Sequence, residues 1–408
     1  MRVMLTQVNP IELARQASDA LFALLTPEAF YERPIAERHR LVFYLGHLEA
    51  FDRNLLGRGV PSSRAELDAL FAFGIDPTEG DLPTDQPGDW PTRAEVAAYC
   101  LATRSEVDRL LEGADSERLH VALEHRWMHC ETLAYLFHRL SYDLKVAPPC
   151  AGPADAAAPA VEWRSIPAGP ARLGQPRGAG FGWDNEFAEL TVELPSFEME
   201  SLPVTNGRFA EFVAAGGYQE SRWWSEDDWR WRVEAQVERP GFWVQEGERW
   251  FYRGMFAQVP LPLSAPVYVS HAEASAYARW RGLALPTEAQ YQRAAWGGGE
   301  LNLASANLDG RHWDPQPVGS DPASDSAFGV SELVGNGWEW TSSLFAPLPG
   351  FEPFDFYPGY SADFFDGRHY VLKGASARTS RCLARPAFRN WFQPHYPHVY
   401  ATFRCVRP

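Results

Sequence analysis

The sequence predicts two dissimilar domains in series: an α-helical bundle in residues 1–145 and an α+β domain in residues 161–408, joined by a linker in residues 146–160. In the first region, apolar residues recur at helical spacing. The linker is almost entirely Ala, Pro and Gly, which is typical of a semi-rigid connection. Beyond it, Gly and Pro are frequent, apolar runs are short, and all but two of the 16 Trp residues occur. A chain of 408 residues is long enough for both domains to bury a core.

Four helices with a long second connection predict a bundle in the first domain. Asn9 is a typical N-cap and Pro10 a typical first helical residue, so the first helix begins there. The next helices are predicted from near Pro34 to Leu56, from Thr92 to residue 112, and from Ser116 to Leu144. The connection over residues 58–91 is rich in Asp, Pro and Gly, and it is predicted to be a loop with a short helix over residues 64–73.

The second domain is predicted to mix short strands with a few helices. Residues 188–200 and 369–376 have the composition of strands. Residues 204–217 and 270–296 have helical patterns. The sequence contains no internal repeat, no Gly-rich phosphate loop and no GxSxG nucleophile elbow, so nucleotide-dependent and serine-hydrolase chemistry are not indicated.

Composition excludes several classes of protein. Hydrophobic residues make up 45% and charged residues 22%, which excludes extensive disorder, and the formal net charge is -16. An acidic protein is a poor partner for nucleic acid or an anionic membrane, so neither is expected. The five Cys form no CxxC pair, and the chain has neither a signal-peptide pattern nor 18 consecutive apolar residues. A reducing cytoplasm is therefore the expected location.

Histidines form the most informative pattern in the first domain. His125 and His129 are four residues apart on an inward helical face, so they project together and could chelate one metal ion. His47, on the inward face of the second helix, would complete a set of three imidazoles. Imidazole suits Zn, Cu, Fe and Ni, so the residues alone do not name the metal. The alternative is a set of hydrogen-bonded core histidines. Glu131 is expected in a supporting contact or salt bridge, and the expected surface histidines are His39, His120 and His138.

Two groups of motifs give the chain a family resemblance. In the first domain, GHLEAFDRNLL around His47 and HxxxHxE over residues 125–131 resemble the DinB-like bundle of the ergothioneine sulfoxide synthases. The second domain resembles the formylglycine-generating-enzyme (sulfatase-modifying factor) fold, a variant of the C-type lectin fold. The matching pieces are IPAG (166–169), FGWDNE (181–186), PVTN (203–206), LPTE (285–288), GNGWEWT (335–341), FRNW (388–391) and the closing Phe403-Arg404. The resemblance covers nearly the whole chain, and this enzyme group also includes ovothiol and selenoneine synthases.

The resemblance implies an activity and a set of site residues. In this family three histidines bind non-haem Fe(II), which makes His47, His125 and His129 the implied ligands of a site between the domains. With dioxygen as co-substrate, these enzymes join a sulfur or selenium donor to an imidazole carbon of hercynine, the trimethylated form of histidine. Asn390 and Trp391 match family positions near the quaternary ammonium of hercynine, a group that favours aromatic faces.

Some positions depart from the family pattern and bear on the substrates. Phe392 stands where enzymes that use γ-glutamylcysteine have Asp, so free cysteine or a selenosugar is the expected donor. Met128 stands where some relatives have a Gln that contacts the acceptor imidazole.

Tyr360 is matched to a family tyrosine that donates a proton near the iron. The arginines predicted to bind the donor's carboxylate are Arg93, Arg104 and Arg381.

Other functions remain open at the level of sequence. Within the resemblance, the chain could be a selenoneine synthase with a selenosugar donor, or couple a thiol to histidine as ovothiol synthases do. A metal-dependent thiol transferase of the DinB type would need no dioxygen. A non-catalytic binding protein would use the second domain to hold a ligand. Formylglycine generation itself is not expected, because that activity needs a close pair of cysteines, and Cys382 and Cys405 lie far apart in the sequence.

Overall fold

The computed structural model describes residues 9–75, 82–149, 156–157 and 159–408. The chain divides into two compact units, Met1–Cys150 and Ala151–Pro408, each with a buried core of its own. Part of the predicted loop 58–91 and part of the predicted linker 146–160 lie outside the described residues. Among the described helices, none is both long enough and apolar enough to cross a bilayer.

The first unit is helical, as predicted. Its α-helices, in the described residues, are α1 (Pro10–Phe22), α2 (Leu41–Leu56), α3 (Ala65–Phe73), α4 (Arg93–Leu110) and α5 (Ser116–Arg139). The Asn9 side chain accepts a hydrogen bond from the backbone N–H of Ile11, and Thr92 forms a capping box with Glu95, so both helices begin where the sequence indicates. Helix α2 packs against α3, α4 and α5 and is the central helix of the bundle.

The predicted start of the second helix near Pro34 is wrong, since α2 begins at Leu41. The preceding residues form turns that are closed by tertiary hydrogen bonds. The backbone N–H of Leu41 donates to Glu32 O at 3.1 Å, and the Arg40 guanidinium donates to Tyr31 O and to Asp85 Oδ2. These contacts join the turn to the long connection, and helical periodicity cannot reveal them.

The end of helix α5 also differs from the prediction. It stops at Arg139, and residues 142–144 form a separate 3₁₀ turn. His138 was expected at the surface and this expectation is wrong, because it is fully buried along with each residue from Leu133 to Phe137. The last turns of α5 therefore lie inside the first unit. His120 is exposed as expected, and His39 is half-buried against the ring of Phe43.

The second unit mixes short strands and helices, which confirms its predicted α+β character. Its strands are β1 (Trp163–Ile166), β2 (Gly169–Leu173), β3 (Leu190–Leu194), β4 (Phe197–Glu200), β5 (Trp243–Glu246), β6 (Arg249–Arg253), β7 (Gln258–Pro260), β8 (Gly337–Leu344), β9 (Tyr370–Ala375), β10 (Asn390–Phe392) and β11 (Ala401–Thr402). Its helices are α6 (Asn206–Ala214), α7 (Glu226–Glu234), α8 (His271–Trp280) and α9 (Glu288–Trp296).

The largest sheet of the second unit has four strands in the order β10-β9-β8-β11. Strands β10, β9 and β8 are antiparallel neighbours, and β11 runs parallel to β8. At its centre the Arg404 guanidinium donates to both carboxylate oxygens of Glu339, and neither side chain is exposed. Because a buried charge needs a partner, this pair fixes the C-terminal segment against the GNGWEWT motif.

Candidate metal centre

Helices α2 and α5 bring the three predicted histidines together. One ring nitrogen from each of His47, His125 and His129 lies within 4.8 Å of the other two. The ring centroids are 5.3 Å apart for His47 and His125, 4.8 Å for His47 and His129, and 4.4 Å for His125 and His129. Helical spacing of four residues accounts for the second pair, and the packing of α2 on α5 adds His47. Three nitrogen donors this close can hold one transition-metal ion.

The ring of His47 has a fixed orientation. Its Nδ1 lies 2.8 Å from the carbonyl oxygen of Phe71 on α3, so Nδ1 donates the hydrogen bond and Nε2 carries the free electron pair. Gly46 makes this approach possible, since a Cβ at that position would lie 2.4 Å from carbons of the Phe71 ring. A backbone carbonyl that orients a histidine in this way is a common support of metal ligands.

The other two histidines contain buried nitrogens that lack a partner. Within the described residues, His125 Nδ1 and His129 Nδ1 are buried and make no hydrogen bond. An unsatisfied buried polar atom is costly, and such atoms are rare in folded proteins. Two of them in one cluster are an observation that a hydrogen-bonded core cluster does not explain.

Burial keeps all three imidazoles neutral. It lowers the pKa of His47 to about 4, against the effect of the Phe71 hydrogen bond. Burial, with the neighbouring histidines and Arg126, also lowers the pKa of His125 well below its usual range. Burial, His47, Arg38 and Arg126 do the same for the pKa of His129. A metal binds neutral imidazole, so the cluster is in the binding form at neutral pH.

Aromatic rings surround the cluster on the side of α2. Phe51 stacks on His125 with ring centroids 3.4 Å apart, and Phe43 stacks on His47 at 4.8 Å. Tyr44 lies 5.9 Å from the ring of His129. Such walls hold the imidazoles in place and lower the local dielectric constant. Met128, half-buried, precedes His129 on α5, and Glu131 is buried two residues beyond it.

The predicted acceptor-binding residues lie in the second unit, on and beside β10. Trp391 stacks on Phe345 with centroids 4.2 Å apart, and the ring of Tyr360 meets Trp391 edge-on at 5.4 Å. The Asn390 side chain accepts a hydrogen bond from the backbone N–H of Trp391. Phe392 stacks on Tyr396 at 5.2 Å. The structure thus places Tyr360, which was selected separately from the sequence, against Trp391 of the Asn390–Phe392 segment.

Tyr360 is held by two contacts that the sequence did not predict. Its ring stacks on Trp183 with centroids 3.9 Å apart. The next residue, Ser361, donates a hydrogen bond to Asp184 Oδ1 at 2.5 Å. Burial raises the pKa of Asp184, against hydrogen bonds from Ser361 and Asn185. Trp183 and Asp184 belong to the FGWDNE motif, which was the available signal for this role.

Buried cations hold the segment that leads into β10. Lys373 donates to Pro386 O and Phe388 O at 2.9 and 2.6 Å, and burial lowers its pKa to about 8. Arg385 forms a two-pronged pair with Glu186, and Arg389 does so with Glu288. The two acidic residues end the FGWDNE and LPTE motifs, so their role is to anchor the chain before Asn390.

The three predicted arginines have partners within their own units. Arg93 lies over the ring of Phe30 at 4.2 Å. Arg104 donates to both carboxylate oxygens of Asp19 and to Glu49. Arg381 donates to Asp309 and to Leu303 O. None of them joins the histidine cluster or the Tyr360–Trp391 contact among the described interactions, and their binding of a donor stays a prediction.

Comparison with known families matches both units. The DinB superfamily model matches residues 11–138, and the Sulfatase-modifying factor enzyme 1-like domain model matches residues 152–408. The predicted fold class, a DinB-like bundle followed by a formylglycine-generating-enzyme-like domain, is therefore confirmed.

Curated relatives that align with most of this chain are named for hercynine and ergothioneine. The hercynine oxygenase of Mycolicibacterium smegmatis is 34% identical over 358 residues, which cover 80% of this chain and 79% of that protein. The hercynine oxygenase of Mycolicibacterium thermoresistibile is 32% identical, with 97% of this chain and 94% of that protein covered. Ergothioneine biosynthesis protein 1 of Neurospora crassa is 26% identical over 94% of this chain and 55% of its own length.

Proposed function

The chain belongs to the hercynine oxygenase family, and on this premise we propose that it catalyses the dioxygen-dependent attachment of a sulfur or selenium donor to the imidazole carbon of hercynine. The observation that carries the proposal is the cluster of His47, His125 and His129. An unactivated imidazole C–H bond does not react with a thiol by itself, so the reaction needs an oxidant, and a three-histidine site with open positions suits that task.

We propose Fe(II) as the metal, with His47, His125 and His129 as its protein ligands. The donor set fits, because one ring nitrogen of each histidine converges on the others, His125 and His129 each have a buried nitrogen without a hydrogen bond, and burial keeps the rings neutral. When bound, iron supplies the redox chemistry with dioxygen that the organic side chains lack. The chain's own part is to orient the three imidazoles and to limit access of water through Phe43 and Phe51.

The second unit supplies the proposed acceptor-binding and proton-donating groups. The face of Trp391, braced by Phe345, is suited to the quaternary ammonium of hercynine, and Asn390 lies beside it on β10. The phenol of Tyr360 is the proposed proton donor, since its ring is fixed by Trp183 and contacts Trp391. Met128 would line the acceptor site without a hydrogen bond to the imidazole.

The proposed donor is cysteine or a selenosugar, rather than γ-glutamylcysteine. Phe392 offers no charge for the ammonium group of a peptide donor, and its ring is already stacked on Tyr396. A carboxylate on the donor would then need an arginine, for which Arg93 and Arg381 are the proposed residues. A selenosugar would lead to a selenoneine-type product, and histidine in place of hercynine to an ovothiol-type product.

A turnover assay tests the proposal. The protein is loaded with Fe(II) without oxygen, given hercynine, and then exposed to air with cysteine, γ-glutamylcysteine or a selenosugar, while oxygen uptake and product mass are followed. We expect uptake coupled to a hercynine adduct with one donor. His129→Ala should lower the rate of oxygen uptake at least about 100-fold, because a metal site with open positions cannot lose one of its three protein ligands and still hold the metal. The matched control is His120→Ala, which changes an exposed histidine of the same helix.

The outcomes separate the competing functions. Oxygen uptake with one donor supports the proposal and identifies the donor. Turnover that proceeds equally well under nitrogen would contradict it and favour a thiol transferase. Iron binding without uptake for any donor, with hercynine or histidine, would contradict an oxygenase and favour a binding protein.

A further inference from the structure

A buried ionic cluster lies at the same helix interface as the three histidines. Arg126, on α5, is 1% exposed. Its guanidinium donates to Asp52 Oδ2 at 2.6 Å and to Glu49 Oε1 at 3.0 Å, both on α2. It also donates to Ser18 Oγ on α1 at 3.3 Å. Glu49 is shared with Arg104 of α4, so the cluster touches the four long helices of the bundle.

One contact of Arg126 joins α5 and α2 directly beside two of the histidines. Arg126 follows His125, and its Nη2 donates at 2.9 Å to the carbonyl oxygen of Leu48, the residue that follows His47. The backbone of α2 next to one histidine is therefore tied to the residue of α5 next to another. Because side chains of a packed interface move with their helices, the separation of α2 and α5 at this level sets the distance from His47 to His125 and His129.

We propose that Arg126 is a positioning residue of the metal centre, and that its planar fork to Asp52, Glu49 and Leu48 O fixes the spacing of the three imidazoles. The inference rests on the proposed metal site. Three hydrogen bonds from one rigid guanidinium to α2 specify both the distance and the register of α2 and α5. Apolar packing of equal volume would stabilise the bundle without specifying that register as sharply.

The chain offers a matched control in Arg53. This residue is also buried on α2, and it donates to Glu106 at 3.0 Å and to Val60 O at 2.7 Å. None of its described ion pairs or hydrogen bonds reaches α5. A change at Arg53 therefore perturbs the stability of the bundle while the contact between α2 and α5 stays intact.

The experiment measures Co(II) binding to the full chain by competition with a chelator, together with the visible absorption of bound Co(II) and the melting temperature of the metal-free protein. The main variant is Arg126→Lys, because a lysine ammonium cannot bridge both carboxylates and the Leu48 carbonyl as the guanidinium does. Asp52→Asn is a milder change of the same cluster, and Arg53→Lys is the control. We expect Arg126→Lys to weaken Co(II) binding about 10- to 100-fold and to change its spectrum, as loss of a supporting contact to metal ligands does. Asp52→Asn should weaken it less.

Arg53→Lys should lower the melting temperature and leave Co(II) affinity and spectrum as in the wild type. The proposal is overturned if Arg126→Lys and Asp52→Asn bind Co(II) as the wild type does. It is also overturned if Arg53→Lys, at an equal drop in melting temperature, loses as much Co(II) affinity as Arg126→Lys does. If Arg126→Lys does not fold, the same comparison of Co(II) affinity and melting temperature is made between Asp52→Asn and Arg53→Lys. Failure of the wild type to bind Co(II) would instead contradict the metal centre itself.

Discussion

His47 differs from the other two histidines because one of its nitrogens already has a hydrogen-bond partner. The carbonyl of Phe71 fixes the tautomer, which leaves Nε2 as the only nitrogen available to a metal. His125 and His129 lack such partners at Nδ1 within the described residues. The cluster therefore contains one histidine whose ring is already oriented by a hydrogen bond and two that each keep a buried ring nitrogen without one.

The pKa of His47 gives a prediction for the metal-free protein. Folding lowers this pKa from 6.5 to about 4, so the unfolded chain takes up the proton first as the pH falls. Neutral His47 therefore makes its full contribution to the free energy of unfolding above pH 6.5. As the pH falls from 6.5 to about 4, the free energy of unfolding decreases by about 3 kcal/mol from this group. Urea unfolding in the presence of a chelator measures this loss.

Two variants isolate the contribution of His47. His47→Gln should flatten the decline between pH 6.5 and 4, whereas His120→Gln, at an exposed position, should leave it unchanged. An unchanged slope in His47→Gln would show that other buried groups account for the acid sensitivity.

Helix α3 carries none of the three clustered histidines, yet it orients one of them. Phe71 is fully buried and packs against the backbone of α2 at Gly46. A side chain at Gly46 would force the ring, and with it the Phe71 carbonyl, away from His47. The short helix is therefore part of the proposed metal centre, to which it contributes its packing and one carbonyl group.

The substitution Gly46→Ala tests this role of α3. The new Cβ would lie 2.4 Å from the Phe71 ring, so the ring must move and the hydrogen bond to His47 Nδ1 is lost. We expect metal affinity to fall about tenfold, measured by chelator competition. In the control Gly113→Ala the Cβ meets nothing within 4 Å, and affinity should not change. Equal affinity in both variants would refute the role of α3.

Helices were easier to predict from the sequence than the contacts that fix the site. The periodicity of apolar residues and the caps at Asn9 and Thr92 are local, so they located α1 and α4 well. The predicted start of α2 was wrong because Arg40 and Leu41 make hydrogen bonds to residues outside the helix. Local patterns do not contain such information.

At the scale of the whole molecule, long-range contacts hold the proposed proton donor. Ser361 and Asp184 are 177 positions apart in sequence, and their hydrogen bond fixes the chain next to Tyr360. Trp183 stacks on the phenol ring from the same segment. The position of Tyr360 thus depends on the folding of the whole second unit.

Removal of that hydrogen bond should affect chemistry more than substrate binding. In Ser361→Ala we expect kcat to fall about tenfold with a smaller change in KM, because a misplaced proton donor slows the step it serves. Metal affinity should stay the same, since all three histidines belong to the first unit. Ser221→Ala, at an exposed serine of the second unit, is the control. A change in KM alone would contradict a role for Ser361 in orienting the donor.

Residue identity and helical spacing were sufficient to predict that His47, His125 and His129 lie together, and the site role of the residues around Trp391 stays a prediction. The sequence was not sufficient to find the buried charges that position them. Arg126, Lys373 and Arg404 would each be assigned to the surface by composition alone. Each is buried with carboxylates or carbonyls around it, from other helices or strands for Arg126 and Arg404 and from the segment before β10 for Lys373.

The histidine cluster and the Tyr360–Trp391 contact are built on two separately packed units, each with its own core. A mutation that changes the packing of one core therefore need not disturb the packing of the other. Under the proposed roles, a substitution at Phe392 would change the choice of donor and leave the three-histidine cluster unaltered. A lineage could change its product in this way and keep the proposed metal site throughout.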